Sequence, residues 1–241
     1  MARYRFALRP RWVLLHLLVV LLVVVMVNLG FWQLRRLDER RASNQQVESR
    51  TTAAPVPVQQ VAPSDVSGDA LASLRFRLVS GAGVYDASGS TVVAARTQDG
   101  RAGGWVVSPM QVGRETILVL RGFVGLQDDG SLPSPPAPTG TVTLTGYTLA
   151  ISGFDPIARR DLDALHAKYP AAPPVVVQVA TSDPAEAQLV VIPLPDLGDG
   201  PHLGYAVQWF LFSTIAVGGY LIVVRRSAQQ RAREVHADAA A

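Results

Sequence analysis

The chain of 241 residues contains no cysteine, which excludes disulfides, thiol nucleophiles and thiolate metal cages together. It has four histidines, His16, His166, His202 and His236, and no two are spaced as a metal-ligand pair. There is no phosphate-cradling glycine loop, and no serine stands in a nucleophile elbow. An enzyme is therefore not expected, and the many glycines read as turns. A formal net charge of +3 is carried largely by arginines bordering apolar runs, so a basic nucleic-acid groove is not indicated and nucleic acid is excluded as a partner. Membrane lipid is indicated in its place.

Apolar residues are abundant, at 49% against 17% charged, and they are concentrated. From Trp12 the chain reads "WVLLHLLVVLLVVVMVNLGFW", and from Leu203 "LGYAVQWFLFSTIAVGGYLIVV". Each run has about twenty residues without a full charge, enough to cross ~30 Å of hydrocarbon at 1.5 Å per residue. Transmembrane helices are predicted over 12–34 and 201–224. The first reads as an uncleaved anchor, because "VNLGFWQLRR" has no small-x-small cleavage site.

Arg225, Arg226, Arg231 and Arg233 follow the second run, whereas Asp196 and Asp199 precede it without a cation. By the positive-inside rule the tail 225–241 and the N-terminus 1–11, with Arg3, Arg5, Arg9 and Arg11, are then cytoplasmic, and the region between the spans faces outward across the plasma membrane. Arg35, Arg36, Arg40 and Arg41 oppose that assignment, so the second span decides it.

Between the spans a linker is expected over 35–70, extended where "RTTAAPVPVQQVAPSD" collects prolines. A β-rich domain follows over 71–200. "FRLVSGAGVYD", "STVVAARTQ", "GGWVVSPMQ" and "ETILVLRGFVG" alternate with glycine turns and predict an antiparallel meander. The proline-rich segment 127–138 interrupts it before "TVTLTGYTLAI". Asp155 and Pro156 then announce a short helix near 156–168, and "PPVVVQVATSD" and "AQLVVIPLP" read as closing strands. The fold class is thus two transmembrane α-helices flanking a mainly antiparallel β (α+β) extracytoplasmic domain.

"HLGYAVQWF" is an unusual opening for a lipid-facing helix. His202, Tyr205, Trp209 and Ser213 share one helical face, and in the other span Asn28, Trp32 and Arg35 do likewise at the same outer depth. One reading is an aromatic interface belt with a solvated histidine; the other is a working surface, since clustered polar groups in a span face protein, ligand or water. A neutral imidazole there has the chemistry of an axial haem ligand, and Tyr and Trp make flat porphyrin walls.

"LGFWQLRR", "VLRGFVG" and "HLGYAVQWF", in that order from about residue 12 to 226, resemble the Surfeit locus protein 1 family. The resemblance implies two membrane helices embracing an extracytoplasmic domain, and a non-enzymatic role in assembly of the haem-copper (aa3-type) cytochrome c oxidase. It marks His202, with Tyr205 and Trp209, as haem a contacts. Gly30, Trp32 and Gln33 match the first motif, and Arg121 and Gly122 the middle one. Arg121 is open to two readings, a partner for a haem propionate or other charge at the domain–membrane junction, or an exposed strand arginine. Phe123, Gly125 and Pro201 depart from the usual family residues. The arginine-rich, lysine-poor composition suits an actinobacterial branch, whose members would stay with the oxidase subunits or a cytochrome bc–oxidase supercomplex. A purely structural accessory subunit without haem handling is the alternative.

Overall fold

The computed structural model describes residues 6–61, 71 and 73–238, with side chains as far as Arg233; Arg3, Arg5 and the His236 side chain lie outside the described residues. The chain divides into two compact units, Met1–Asn44 with Leu197–Ala241, and Gln45–Asp196.

The first unit is a pair of antiparallel helices, most of α1 (Pro10–Thr51) and α4 (His202–Asp238). Both are long and apolar enough to cross a membrane, and only 11% and 6% of their apolar windows are buried, unlike a core helix of a soluble protein. Burial is concentrated along a seam. On α1, Val23, Met26, Gly30, Gln33 and Leu37 are buried or half-buried, and on α4 His202, Ala206, Trp209, Ser213, Ala216 and Tyr220. Those steps alternate between three and four, the 3.5-residue period that keeps one stripe of each helix on the other. Small residues let the backbones approach, as is usual where lipid removes any hydrophobic drive between helices. A Cβ on Gly30 would stand 2.7 Å from the Phe210 ring.

α1 does not stop where the apolar run does. It continues through 35–51, so the linker expected over 35–70 begins as helix. The reason is local: "LRRLDERRASNQQVESRT" has no glycine or proline, Arg36 and Glu39 pair at i, i+3 (2.8 Å), and nothing forbids helix until Pro55.

The second unit is built from β1 (Val56–Pro57), α2 (Val58–Val61), β2 (Leu78–Tyr85), β3 (Thr91–Gln98), β4 (Arg101–Val112), β5 (Glu115–Gly125), β6 (Thr141–Ala150), α3 (Pro156–Lys168) and β7 (Val175–Asp183). The strands follow the order β1-β2-β6-β7-β5-β4-β3, and β2 pairs again with β4, so five of them close a ring. Closure removes two edges that would otherwise be open to pairing. Only β3-β4-β5 is a meander. β7 lies parallel to β5 (Leu118↔Val176) and antiparallel to β6 (Thr148↔Val177), reached through the β6-α3 crossover, and β1 is parallel to β2. The sheet is therefore mixed, with five of the seven strand pairings among the described residues antiparallel, in line with the mainly antiparallel domain expected.

β5 is buried on both sides. Ile117 and Val119 join Val79, Met110, Leu144 and Val177 in one cluster, while Leu118 and Leu120 pack with Val176 and with Ala158, Leu162 and Leu165 of α3. That explains a nearly continuous apolar strand rather than an alternating one. α3 starts at Asp155, whose carboxylate accepts from the Ile157 and Ala158 amides (3.0 and 3.2 Å), with Pro156 in the first turn.

Two further expectations are corrected. The folded unit begins before Leu71, because Val58 is fully buried in the first cluster. "AQLVVIPLP" forms no strand: Phe123 and Val190 make a single antiparallel bridge, and side-chain amides of Gln98 and Gln178 reach the carbonyls of Val191 and Ile192 (3.0 and 2.7 Å). Pro193 and Pro195 have no N–H to extend a ladder.

Candidate functional site

At the Asp199 end of the helix pair, polar contacts fasten the entry of α4 to α1. Asn44 Nδ2 donates to Leu197 O (2.6 Å) and Arg40 Nε to Gly198 O (3.2 Å). Arg41 forks onto Asp199 Oδ2 through Nε and Nη2 (3.0 and 2.6 Å). Its hydrogen bond holds the Asp199 carboxyl below the usual carboxylate range, and the carboxylate in turn raises the guanidinium. His202, the first residue of α4, donates from Nδ1 to Gln33 Oε1 (3.0 Å). Gln33 Oε1 can only accept, so Nδ1 is the donor, and Nε2 has no hydrogen-bond partner among the described residues.

This pairing differs from the predicted face. His202 meets Gln33, not Asn28, Trp32 or Arg35. Asn28 turns back to Val24 O (2.8 Å), and Trp32 is 44% exposed with the Arg36 guanidinium 5.7 Å from its ring. Tyr205 is 49% exposed. Trp209 is half-buried, edge-on to Phe212 at 6.1 Å, and Ser213 donates to its carbonyl (2.9 Å). A helical wheel correctly shared one face among His202, Trp209 and Ser213, but Tyr205 sits on its open flank. The first motif has a packing logic of its own: Gly30 admits Phe210, and Phe31 meets the same ring edge-on at 5.4 Å.

The opposite end is also closed by a histidine. His16 Nε2 donates to Ala7 O (3.0 Å), which leaves Nδ1 to accept the Tyr220 hydroxyl. His166 has a structural task in the second unit, donating from Nε2 to Ala172 O (2.8 Å) beyond the α3 terminus.

The middle motif lies inside the second unit. Arg121 is the extra residue of a bulge, since Val106 pairs with Gly122 and Val107 with Leu120. Its side chain is fully buried. Nε donates to both carboxylate oxygens of Glu186 (3.1 and 2.9 Å), Nη1 to Ser108 Oγ and Pro135 O (3.3 and 3.1 Å), and Nη2 to Pro136 O (2.9 Å) and Glu186. Both readings of Arg121 are corrected. It is not an exposed strand residue, and its charge is already matched by a carboxylate of the chain, not left for a propionate. It straps 135–136 of the proline-rich segment to the sheet. Gly122 has a steric reason, because a Cβ would stand 2.9 Å from both Leu189 Cβ and Val190 O. The Tyr85 ring lies against the guanidinium (5.4 Å); burial, reinforced by Glu186, raises its hydroxyl well above the usual tyrosine range.

A cavity of ≈ 250 Å³ in this unit is walled by Phe76, Trp105, Leu120, Phe154 and Ile192, with Arg75 and Gln178 as its polar members. None of these was singled out from sequence, since they come from distant strands and loops with no shared spacing. Phe76, with φ of 61°, occupies a left-handed conformation that bulky residues rarely adopt. Among the described residues no group of three or more His, Asp or Glu converges as a metal cage.

The profile of the SURF1 family matches residues 20–214. Uncharacterized SURF1-like proteins of Mycobacterium bovis and Mycobacterium tuberculosis are 30% identical over 247 aligned positions, covering 96% of this chain and 90% of theirs. The matched region takes in the Gly30–Phe210 seam, the Gln33–His202 pair and the Arg121 bulge, and the chain belongs to the SURF1 family.

Proposed function

We propose that this protein assists assembly of the aa3-type haem-copper cytochrome c oxidase in the plasma membrane, without turnover of its own, by presenting His202 to haem a or to the oxidase subunit that receives it. Both termini are cytoplasmic in this reading, and residues 35–200 face outward. The observation that carries it is the Gln33–His202 hydrogen bond, which joins two family motifs and orients an imidazole with Nε2 free. Holding Nδ1–H with a second group is how proteins fix and enrich a ligating histidine. The donor therefore fits haem iron. The helices alone do not fit an enclosed porphyrin pocket, because Phe210 fills the space at Gly30, so the oxidase partner supplies the remaining walls. Haem a, when held there, supplies the redox iron destined for the oxidase; this chain's part is binding, orientation and release.

A second reading, a structural accessory subunit of the oxidase or a bc–oxidase supercomplex, is favoured by the outward Trp32 and Tyr205, large aromatic surfaces suited to neighbouring helices. One experiment separates the two. After deletion of the gene, membranes are scored for haem a absorbance and oxidase subunits, then complemented with wild type, His202→Ala or Gln33→Ala. Haem handling predicts full rescue by wild type, partial rescue by Gln33→Ala and none by His202→Ala. Equal rescue by all three overturns it and leaves the structural role.

A further inference from the structure

The arginines at the Phe6 end of the helix pair do more than set orientation. Arg9, Arg11 and Arg231, with Pro10 and Trp12, line a cavity of ≈ 530 Å³. No Asp or Glu precedes Asp38 in the chain, and none lies between Asp199 and Glu234; among the described residues no carboxylate pairs with these three guanidinium groups. The cavity is built rather than improvised from loose tails. Phe6 is buried, edge-on to Trp12 at 4.8 Å and under the Arg231 guanidinium at 4.8 Å. The turn carrying it is held by His16 Nε2 on Ala7 O and by the Trp12 and Val13 amides on Arg9 O (2.8 and 3.0 Å).

We infer that this cavity binds the headgroup of an anionic phospholipid, with preference for a diphosphatidyl lipid over a single phosphodiester. Three cations exceed the one negative charge of a phosphodiester, whereas two phosphates match them more closely and accept the forked guanidinium donors. The occupant is a lipid and not free phosphate, because the two helices that carry these arginines expose apolar surface along their length. Leu14 and Leu17 of α1 and Leu221 and Ile222 of α4 are half exposed or more and offer acyl chains a wall, while Trp12 has the amphipathic ring suited to headgroup depth. Basic pockets at the cytoplasmic end of membrane helices are suited to such headgroups. The inference rests on the helices spanning a bilayer, which belongs to the proposed function, but not on haem handling.

The test uses the full chain. Carbonate extraction of membranes comes first: release of wild type overturns the spanning reading, whatever the cavity does. Retained protein is then purified and titrated with diphosphatidylglycerol, phosphatidylglycerol and phosphatidylcholine, with binding read by native mass spectrometry. Wild type is expected to favour the diphosphatidyl lipid, and Arg231→Gln to weaken it about five-fold. Arg9→Gln with Arg11→Gln and Arg231→Gln should weaken it about a hundred-fold, at roughly five-fold per arginine near an anionic surface. Arg225→Gln with Arg226→Gln and Arg233→Gln removes equal charge outside the cavity and should leave the preference intact. Equal loss in that control, equal binding of phosphatidylcholine, or full displacement by millimolar inorganic phosphate overturns the lipid site.

Discussion

The two units use the same chemistry, a cation paired with a carboxylate, in opposite surroundings. In the β unit the side chains of Arg121 and Glu186 are 0% and 10% exposed, and every guanidinium nitrogen has an acceptor. In the helix pair those of Arg41 and Asp199 are each 48% exposed at the edge of an apolar span. A buried pair must be complete, because removing one partner strands a charge where water cannot reach it. An exposed pair is free to fail, because water and salt replace it. Burial, more than distance, therefore decides which ion pair the fold depends on.

Breaking the buried pair is the severest way to test that contrast. Glu186→Ala leaves Arg121 uncompensated and should destabilise the β unit by about 3–5 kcal/mol, read as earlier unfolding by Trp105 fluorescence in an otherwise tryptophan-free background. Replacing both partners with Met and Leu should recover most of that loss. Near-equal stability of the single and double variants would contradict it.

The helix pair is more sensitive to shape than to charge. Gly30→Val drives a side chain into Phe210 and should cost about 1–3 kcal/mol, the usual penalty for overpacking, seen as a lowered melting temperature in detergent. Phe210→Ala in the same molecule should return much of it. An additive loss would mean that the two residues do not compete for one space.

The smallest effect concerns acid. Arg96 grips Asp155 through both guanidinium arms, and with the α3 amides holds its carboxyl down to about 2. A carboxyl depressed by folding contributes stability that is complete above its unfolded value, near 4, and is lost as pH falls toward 2. Between those limits wild type should lose more stability than Asp155→Asn, whose cap does not titrate. Above pH 5 their difference should be constant. Asp199→Asn, breaking the exposed pair, should change stability little and only at low salt.

Where pattern is local, the sequence was legible. Apolar runs announced both long helices because hydropathy needs no knowledge of neighbours, and Asp155–Pro156 announced α3 because a cap is formed within four residues. Hydropathy does not announce the helix through 35–51, because charge marks the end of apolar surface and not the end of helix. The β5–β7 pairing was hidden because a parallel partner lies a whole crossover away. Gln33 stood in a recognised motif without an assigned task, since a helical wheel describes one helix and not what faces it.

Composition and order alone determined that this chain carries two long apolar helices around a β-rich segment, together with the family motifs and the absence of thiol chemistry. These are properties of short windows, set by side-chain type and spacing. Only tertiary structure decided that Gln33 orients His202, that Gly30 exists for Phe210, and that Arg121 is an internal strap instead of a ligand-facing cation. Those residues are separated by 169, 180 and 65 positions from His202, Phe210 and Glu186, and no periodicity along a chain reports which distant atoms packing will place within 3 Å.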